Sequence, residues 1–250
     1  PRSTGRAVYR CVHKAHHRRL RSRERFVGAN CGYNRRMQER HYSAADRFIA
    51  CIDTVLRGVA GPGPRSSRPN PAAGVPDTPL SARDRKHAAG LMRVNHAGEL
   101  AAQGLYQGHA AVARSDVIAA HLRKAAADEL DHLGWCEQRL DELGSAPSRL
   151  RPLWYGGAFA IGAASGVMGD RWSLGFVEET ERQVAEHLSG HLDRLPPDDA
   201  RSRAIVERMR TEEQQHGANA KAAGARDLPR IVQRLMRMSA AVMTRTSYRI

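Results

Sequence analysis

The sequence predicts an all-α protein, a four-helix bundle with additional short helices at its N- and C-terminal ends. Three observations carry that prediction. Apolar residues make up 41% of the chain but aromatic residues only 5%, and the apolar set is rich in Ala and Leu, which suits closely packed helices better than a sandwich or barrel. Long stretches of helical apolar spacing alternate with breaks made of Gly, Pro, Ser and Asp. Four such stretches follow residue 80, as a bundle requires, and 250 residues leave room for one domain of about 150–170 residues with tails.

The opening lies outside that domain. Residues 1 to 36 hold eleven Arg and Lys against one acid, Glu24, so they carry +10 of the formal +14 and leave +4 for the other 214. Residues 1–42 lack the regular apolar spacing of a core and read as a disordered basic leader. An Arg-rich, acid-poor start can be a mitochondrial transit peptide, but the first methionine is Met37, which favours translated sequence upstream of a start near that residue. Aromatic residues are sparse there and no nucleic-acid motif occurs, so charge alone speaks for RNA, and no nucleic-acid partner is expected. Cys11, Cys31, Cys51 and Cys136 form no C-x-x-C pair, so neither a disulfide framework nor a zinc knuckle is expected.

Residues 43–60 read as a short amphipathic helix with Phe48, Ile52, Leu56 and Val59 on one side. Residues 61–80, rich in Pro, Gly and Ser, read as a linker, so the main domain runs from 81 to 250. Its first helix opens at Ser81, with Asp84 three residues on in a capping pattern, and runs to Ala113. Ser115 and Asp116 start the second, which ends at Gly144-Ser145-Ala146-Pro147. A third long segment stops before Pro196-Pro197. Asp198 or Asp199 then caps a fourth reaching Ala223-Gly224, and Leu228 to Met243 forms a shorter fifth. Within the third segment, Leu153 to Gly169 holds seventeen uncharged residues rich in Gly and Ala. That falls short of the roughly 20 needed to span a bilayer, so the stretch reads either as a buried helix or as a surface that meets lipid or a lipid-like substrate.

Two Glu-x-x-His motifs occur, Glu129-Leu130-Asp131-His132 on the second helix and Glu213-Gln214-Gln215-His216 on the fourth. One turn apart, the carboxylate and the imidazole face the same side and can share a metal ion. A single copy is within reach of chance; helical phase says more. Glu129 shares its stripe with Leu122, Leu133, Cys136 and Leu140, and Glu213 lies in line with Val206, Met209 and Ala220, whereas Glu212 lines up with Arg208, Gln215 and Asn219. An acid on an apolar face is costly to ionise unless a cation compensates it. The other two helices each offer one more. Glu99 stacks with Met92 and Tyr106, and Glu181 with Leu174, Val177, Val184 and Leu188, while Glu178 is a weaker candidate. One Glu on each of two helices and a Glu-x-x-His on each of the other two is the ligand set of ferritin-like di-iron and di-manganese proteins. Four Glu and two His without a thiolate favour a pair of iron ions over zinc. Glu99 to Glu129 spans 30 residues and Glu181 to Glu213 spans 32, as two hairpins facing each other would. Of the remaining histidines, read as packing or surface residues, His187 is the best candidate to touch a ligand or substrate.

Leu91-Met92-Arg93-Val94-Asn95-His96-Ala97-Gly98-Glu99 resembles the signature opening of the Coq7 family. Further matches are Glu129-Leu130-Asp131-His132-Leu133, Pro152-Leu153-Trp154-Tyr155-Gly156-Gly157, Ser173-Leu174-Gly175-Phe176-Val177-Glu178-Glu179-Thr180-Glu181 and the closing Met243-Thr244-Arg245-Thr246-Ser247-Tyr248. The resemblance covers about residues 43 to 250 and implies a ferritin-like di-iron monooxygenase that hydroxylates the ring of 3-demethoxyubiquinol with O2 in ubiquinone synthesis. It also implies that Glu99, Glu129 and His132 hold one iron and Glu181, Glu213 and His216 the other, with Glu129 and Glu213 bridging. Re-reduction would come from NADH or another external reductant, since no Gly-rich dinucleotide fold is present. By the same resemblance the protein is peripheral on the cytoplasmic side of the inner cell membrane, or alternatively on the matrix side of the mitochondrial inner membrane, and is assisted by an accessory ubiquinone-biosynthesis protein. Leu153 to Val167, with Trp154, Tyr155 and Phe159, is expected to help form a greasy entrance for the polyprenyl tail. A ferritin-like iron oxidation or storage protein is the alternative.

Overall fold

The computed structural model describes Asp53 and residues 66–250. The basic leader and all of the expected 43–60 helix except Asp53 lie outside the described residues. Six helices and no strand are found among the described residues: α1 (Ala82–Val112), α2 (Asp116–Glu142), α3 (Arg151–Gly166), α4 (Asp170–Arg194), α5 (Ala200–Ala222) and α6 (Arg230–Ser247). Their ends follow local chemistry. The Ser81 hydroxyl accepts from the Asp84 amide, Ser115 accepts from Ile118, and Asp199 accepts from Ser202, so each side chain satisfies an otherwise orphaned first-turn N–H.

Helices α1 and α2 pack as one hairpin and α4 and α5 as another, and the hairpins meet through α1 with α4 and α2 with α5. The interior is layered. At one end Met92, Trp135, Cys136, Leu188, Ile205 and Met209 form an apolar plug. At the other, Leu105, Tyr106, Leu122, Phe176, Val177 and Ala220 form a second. Between the two lies a belt of buried glutamates and histidines. Below the first plug, Arg139, 2% exposed, bonds Ser202 and Asp199 at the start of α5, fastening the last turn of α2 to the cap of its neighbour.

The stretch from 153 to 169 forms its own helix, α3, running parallel to α1 in close contact. A β-carbon on Gly108 would lie 2.2 Å from the Phe159 carbonyl oxygen, and one on Gly162 would lie 2.2 Å from that of Leu105. This near-touching of backbones accounts for Gly104 and Gly108 on α1 and Gly162 on α3. It also corrects the expected entrance: Tyr155 and Phe159 are buried against α1, and the exposed apolar residues are Leu153, Ile161, Val167 and Met168. Gly169, at φ 118°, turns the chain into α4, and Asp170 accepts from the Arg114 and Ser115 amides at 2.9 Å, pinning this turn to the α1–α2 turn.

Helix α6 extends four residues beyond the expected Met243 and is tied down at its end. Tyr248 lies over Gly90, its hydroxyl is 2.6 Å from His87 Nδ1, and Arg93 donates to the Tyr248 carbonyl at 2.9 Å. The described part of the expected linker carries no regular helix, yet it is docked: Ala72 is 1% exposed in the first plug, and Arg201 donates to the Val75 carbonyl.

The close approach of α1 and α3 is testable. Gly108→Ala and Gly162→Ala should each destabilise the protein by about 2 kcal/mol or more through overpacking against backbone. Gly157→Ala, where a β-carbon meets nothing within 4 Å, should instead gain up to about 1 kcal/mol. Chemical denaturation midpoints read all three.

Candidate metal centre

Each of the four bundle helices delivers its acid to the belt because the acid occupies an apolar-phase position between the plugs. Glu99 (2% exposed), Glu129 (0%), Glu181 (1%) and Glu213 (0%) converge there with His132 (0%). His216 completes the set with 18% of its side chain exposed. The potential ligand atoms fall into two overlapping groups, Glu99–Glu129–His132–Glu213 and Glu129–Glu181–Glu213–His216, each lying within 4.8 Å. Glu129 and Glu213 belong to both. His132 Nδ1 lies 3.0 Å from Glu129 Oε2 and 2.8 Å from Glu213 Oε1, and His216 Nδ1 lies 3.4 Å from Glu129 Oε1 and from Glu213 Oε2.

Four carboxylates in one buried layer repel one another, and their protons show it. Burial, then the charge of Glu213, pushes Glu99 and Glu181 well above the usual carboxylate range. Burial opposes ionisation of Glu213 too, but Glu181, His132 and His216 around it outweigh that and hold its carboxyl low. Burial likewise disfavours charge on both histidines, yet the adjoining carboxylates win, raising His132 strongly and His216 to about 10. The groups fit a metal. Glu129 Oε1, both oxygens of Glu213 and His216 Nδ1 are buried and meet only in ion-pair contacts, with no well-aligned hydrogen bond, which leaves their lone pairs available to a cation. All-oxygen and imidazole donors without sulfur suit iron or manganese.

Of the other residues singled out from sequence, Tyr106 reaches the site: fully buried, it donates to Glu181 Oε1 at 2.6 Å. Glu178 is half-buried and joins neither ligand group. His187 joins neither ligand group and lines a cavity of about 320 Å3 with His191, Arg194 and Tyr248. Sequence reasoning missed Glu212. Its position beside Arg208 is as expected, with a 2.5 Å ion pair, but it also lies 2.7 Å from His132 Nε2 and pairs with Arg68. Its partners come from three separate segments, so no single-helix pattern could reveal it.

The fold and site define a class: a four-helix bundle enclosing a carboxylate–histidine box suited to metal. The chain belongs to the family described as ubiquinone biosynthesis protein COQ7, whose model matches residues 86–247. It is 56% identical over 216 residues to a Ralstonia pickettii protein named 3-demethoxyubiquinol 3-hydroxylase, covering 82% of this chain and 99% of the relative. Proteins of the same name from Cupriavidus taiwanensis (56% over 207 residues; 82% and 100% covered) and Pseudomonas paraeruginosa (49% over 212 residues; 85% and 99%) are similar along the same length.

The protonation pattern sets a pH dependence. With His216 titrating at about 10 instead of near 6.5, and Glu99 and Glu181 raised, the metal-free box carries extra protons at pH 7. A metal ion binds the deprotonated groups, so loading must expel them. Anaerobic Fe2+ or Co2+ titrations at pH 6, 7 and 8 should show affinity rising at least about tenfold per pH unit, with protons released in weak buffer. A pH-independent affinity contradicts the assignment.

Proposed function

We propose that this chain is a di-iron monooxygenase that hydroxylates the ring of 3-demethoxyubiquinol, with O2 as co-substrate. The observation that carries the reading is the buried belt of four Glu and two His on four helices, in a chain alike over nearly the whole length of relatives named for that reaction. Glu99, Glu129 and His132 would hold one ion and Glu181, Glu213 and His216 the other, with Glu129 and Glu213 shared. When bound, the iron pair supplies electrons that activate dioxygen for transfer of one oxygen atom to the ring.

The chain's own residues do the rest. The plugs on either side keep water from the belt. Tyr106, its hydroxyl proton held by burial and by Glu181, fixes that carboxylate in orientation. His216 is the one proposed ligand with appreciable exposure, so the substrate ring approaches past α5. The reductant is external, NADH or another donor. The relatives' names speak for substrate hydroxylation over ferritin-like iron storage.

The polyprenyl tail requires a route from lipid. No helix among the described residues is long and apolar enough to cross a membrane. Helix α6 instead exposes Ile231, Leu235, Met238 and Val242, spaced along one face among Arg230, Arg234 and Arg245. An apolar stripe with flanking arginines suits a bilayer interface carrying anionic lipid. This supports a peripheral position, which we assign to the cytoplasmic side of the inner membrane, where an accessory biosynthesis protein could present substrate.

Two measurements test the proposal. Anaerobically loaded protein should hold about two irons per chain and, given O2 and demethoxyubiquinol, yield a quinol heavier by one oxygen atom. Glu129→Gln and Glu213→Gln should lower turnover by more than about a hundredfold, beyond the range of outer-shell changes. Iron oxidation without oxygenated quinol would point to storage. Separately, Leu235→Asp and Met238→Asp should weaken binding to anionic vesicles about tenfold or more each, with the melting temperature as the control for folding.

A further inference from the structure

We propose that Arg68, in the irregular segment ahead of the bundle, is a positioning residue for the metal centre: it clamps Glu212 in the orientation that fixes His132 for coordination through Nδ1. The inference rests on the di-iron reading above. His132 presents Nδ1 to Glu129 and Glu213, while its Nε2 lies 2.7 Å from Glu212 Oε2. An imidazole that ligates through Nδ1 carries its proton on Nε2, and a carboxylate accepting that proton sets both the tautomer and the ring angle. Glu212 can do this only if its own carboxylate is held.

Arg68 holds it with both ends of its fork, Nη1 donating to Glu212 Oε1 at 2.7 Å and Nη2 to Oε2 at 2.9 Å. Its Nε donates to Asp131, the neighbour of His132 on α2, so one planar guanidinium bridges α2 and α5 directly behind the ligand. The guanidinium is itself anchored. Asp131 also accepts from the Ser67 amide at 2.6 Å and the Ser66 hydroxyl at 3.0 Å, and Arg68 lies 4.8 Å over the Trp135 ring. That indole is tilted against the His132 ring at 5.3 Å between centroids. The segment thus constrains His132 at its edge, through Glu212, and at its face, through Trp135. Lysine has neither the fork nor the plane.

The test uses the full chain loaded anaerobically with Fe2+, as wild type, Arg68→Gln, Arg68→Lys, Glu212→Gln and the Arg68→Gln/Glu212→Gln pair. Arg68→Gln should weaken retention of one iron of the pair by roughly 10–100-fold against a competing chelator. It should also alter one of the two Mössbauer quadrupole doublets and leave the other in place. Arg68→Lys should recover only part of the loss, and the double variant should be no worse than the stronger single one, because both act through one chain of contacts. Should Arg68→Gln fail to fold, Arg68→Lys and Glu212→Gln carry the same comparison. Losses that add, or that fall on both irons alike, indicate a merely structural role and overturn the inference. So does wild-type affinity with an unchanged spectrum in iron-replete Arg68→Gln. A wild-type chain that takes up no iron removes the di-iron reading itself, and this inference with it.

Discussion

Everything in this protein is arranged around the burial of four carboxylates in one layer of a helical bundle. In a low-dielectric interior such groups repel one another and cannot all ionise without compensation, which comes from protons, from histidines or from metal. The rest of the architecture supports that layer. Two apolar plugs flank it, so each bundle helix must present acid and hydrophobe along a single stripe. Each helical hairpin contributes a lone Glu and a Glu-x-x-His, so the box closes only when the hairpins meet.

The surroundings of the bundle serve the same end by different means. On one flank, α3 lies against α1 with backbones nearly touching, a contact made rigid by the absence of side chains at Gly104, Gly108 and Gly162. On another, an irregular segment is held by polar contacts through Arg68, Asp131 and the serines beside it, and by Ala72 in the first plug. At the end of the chain, Tyr248 and His87 lock α6 to α1. A catalytic layer built on helices and braced from outside meets the need for ligands held within a fraction of an ångström.

Much of this was legible in the sequence, for reasons that can be named. Helix ends were readable because Ser81, Ser115 and Asp199 act locally, through the next turn. The six residues the structure gathers were readable because helical phase reports which side of a helix is buried, and an acid in apolar phase is conspicuous. Tyr155 and Phe159 were misplaced because a Gly-Ala run looks the same whether it meets a helix or a membrane; the deciding feature, Gly104 and Gly108 opposite, sits on another helix. Glu212 and Arg68 escaped notice because their roles depend on partners 80 and 144 residues away along the chain, a relation that periodicity does not record. His187 was favoured for its nearness to Glu181 in sequence, but it stands outside both ligand groups and lines a cavity with His191 and Tyr248.

The buried carboxylates of Glu129 and Glu213 also bear on the life of the protein in a cell. A ligand that binds only the folded state stabilises it by mass action, about 2.7 kcal/mol for each site at a free concentration a hundred times its dissociation constant. Against the roughly 5–15 kcal/mol that keeps most domains folded, two such sites, as proposed, would be a large share. Under the proposed di-iron reading, metal starvation would do more than idle the enzyme. It would raise the unfolded fraction open to proteases, so that the amount of enzyme follows the supply of metal.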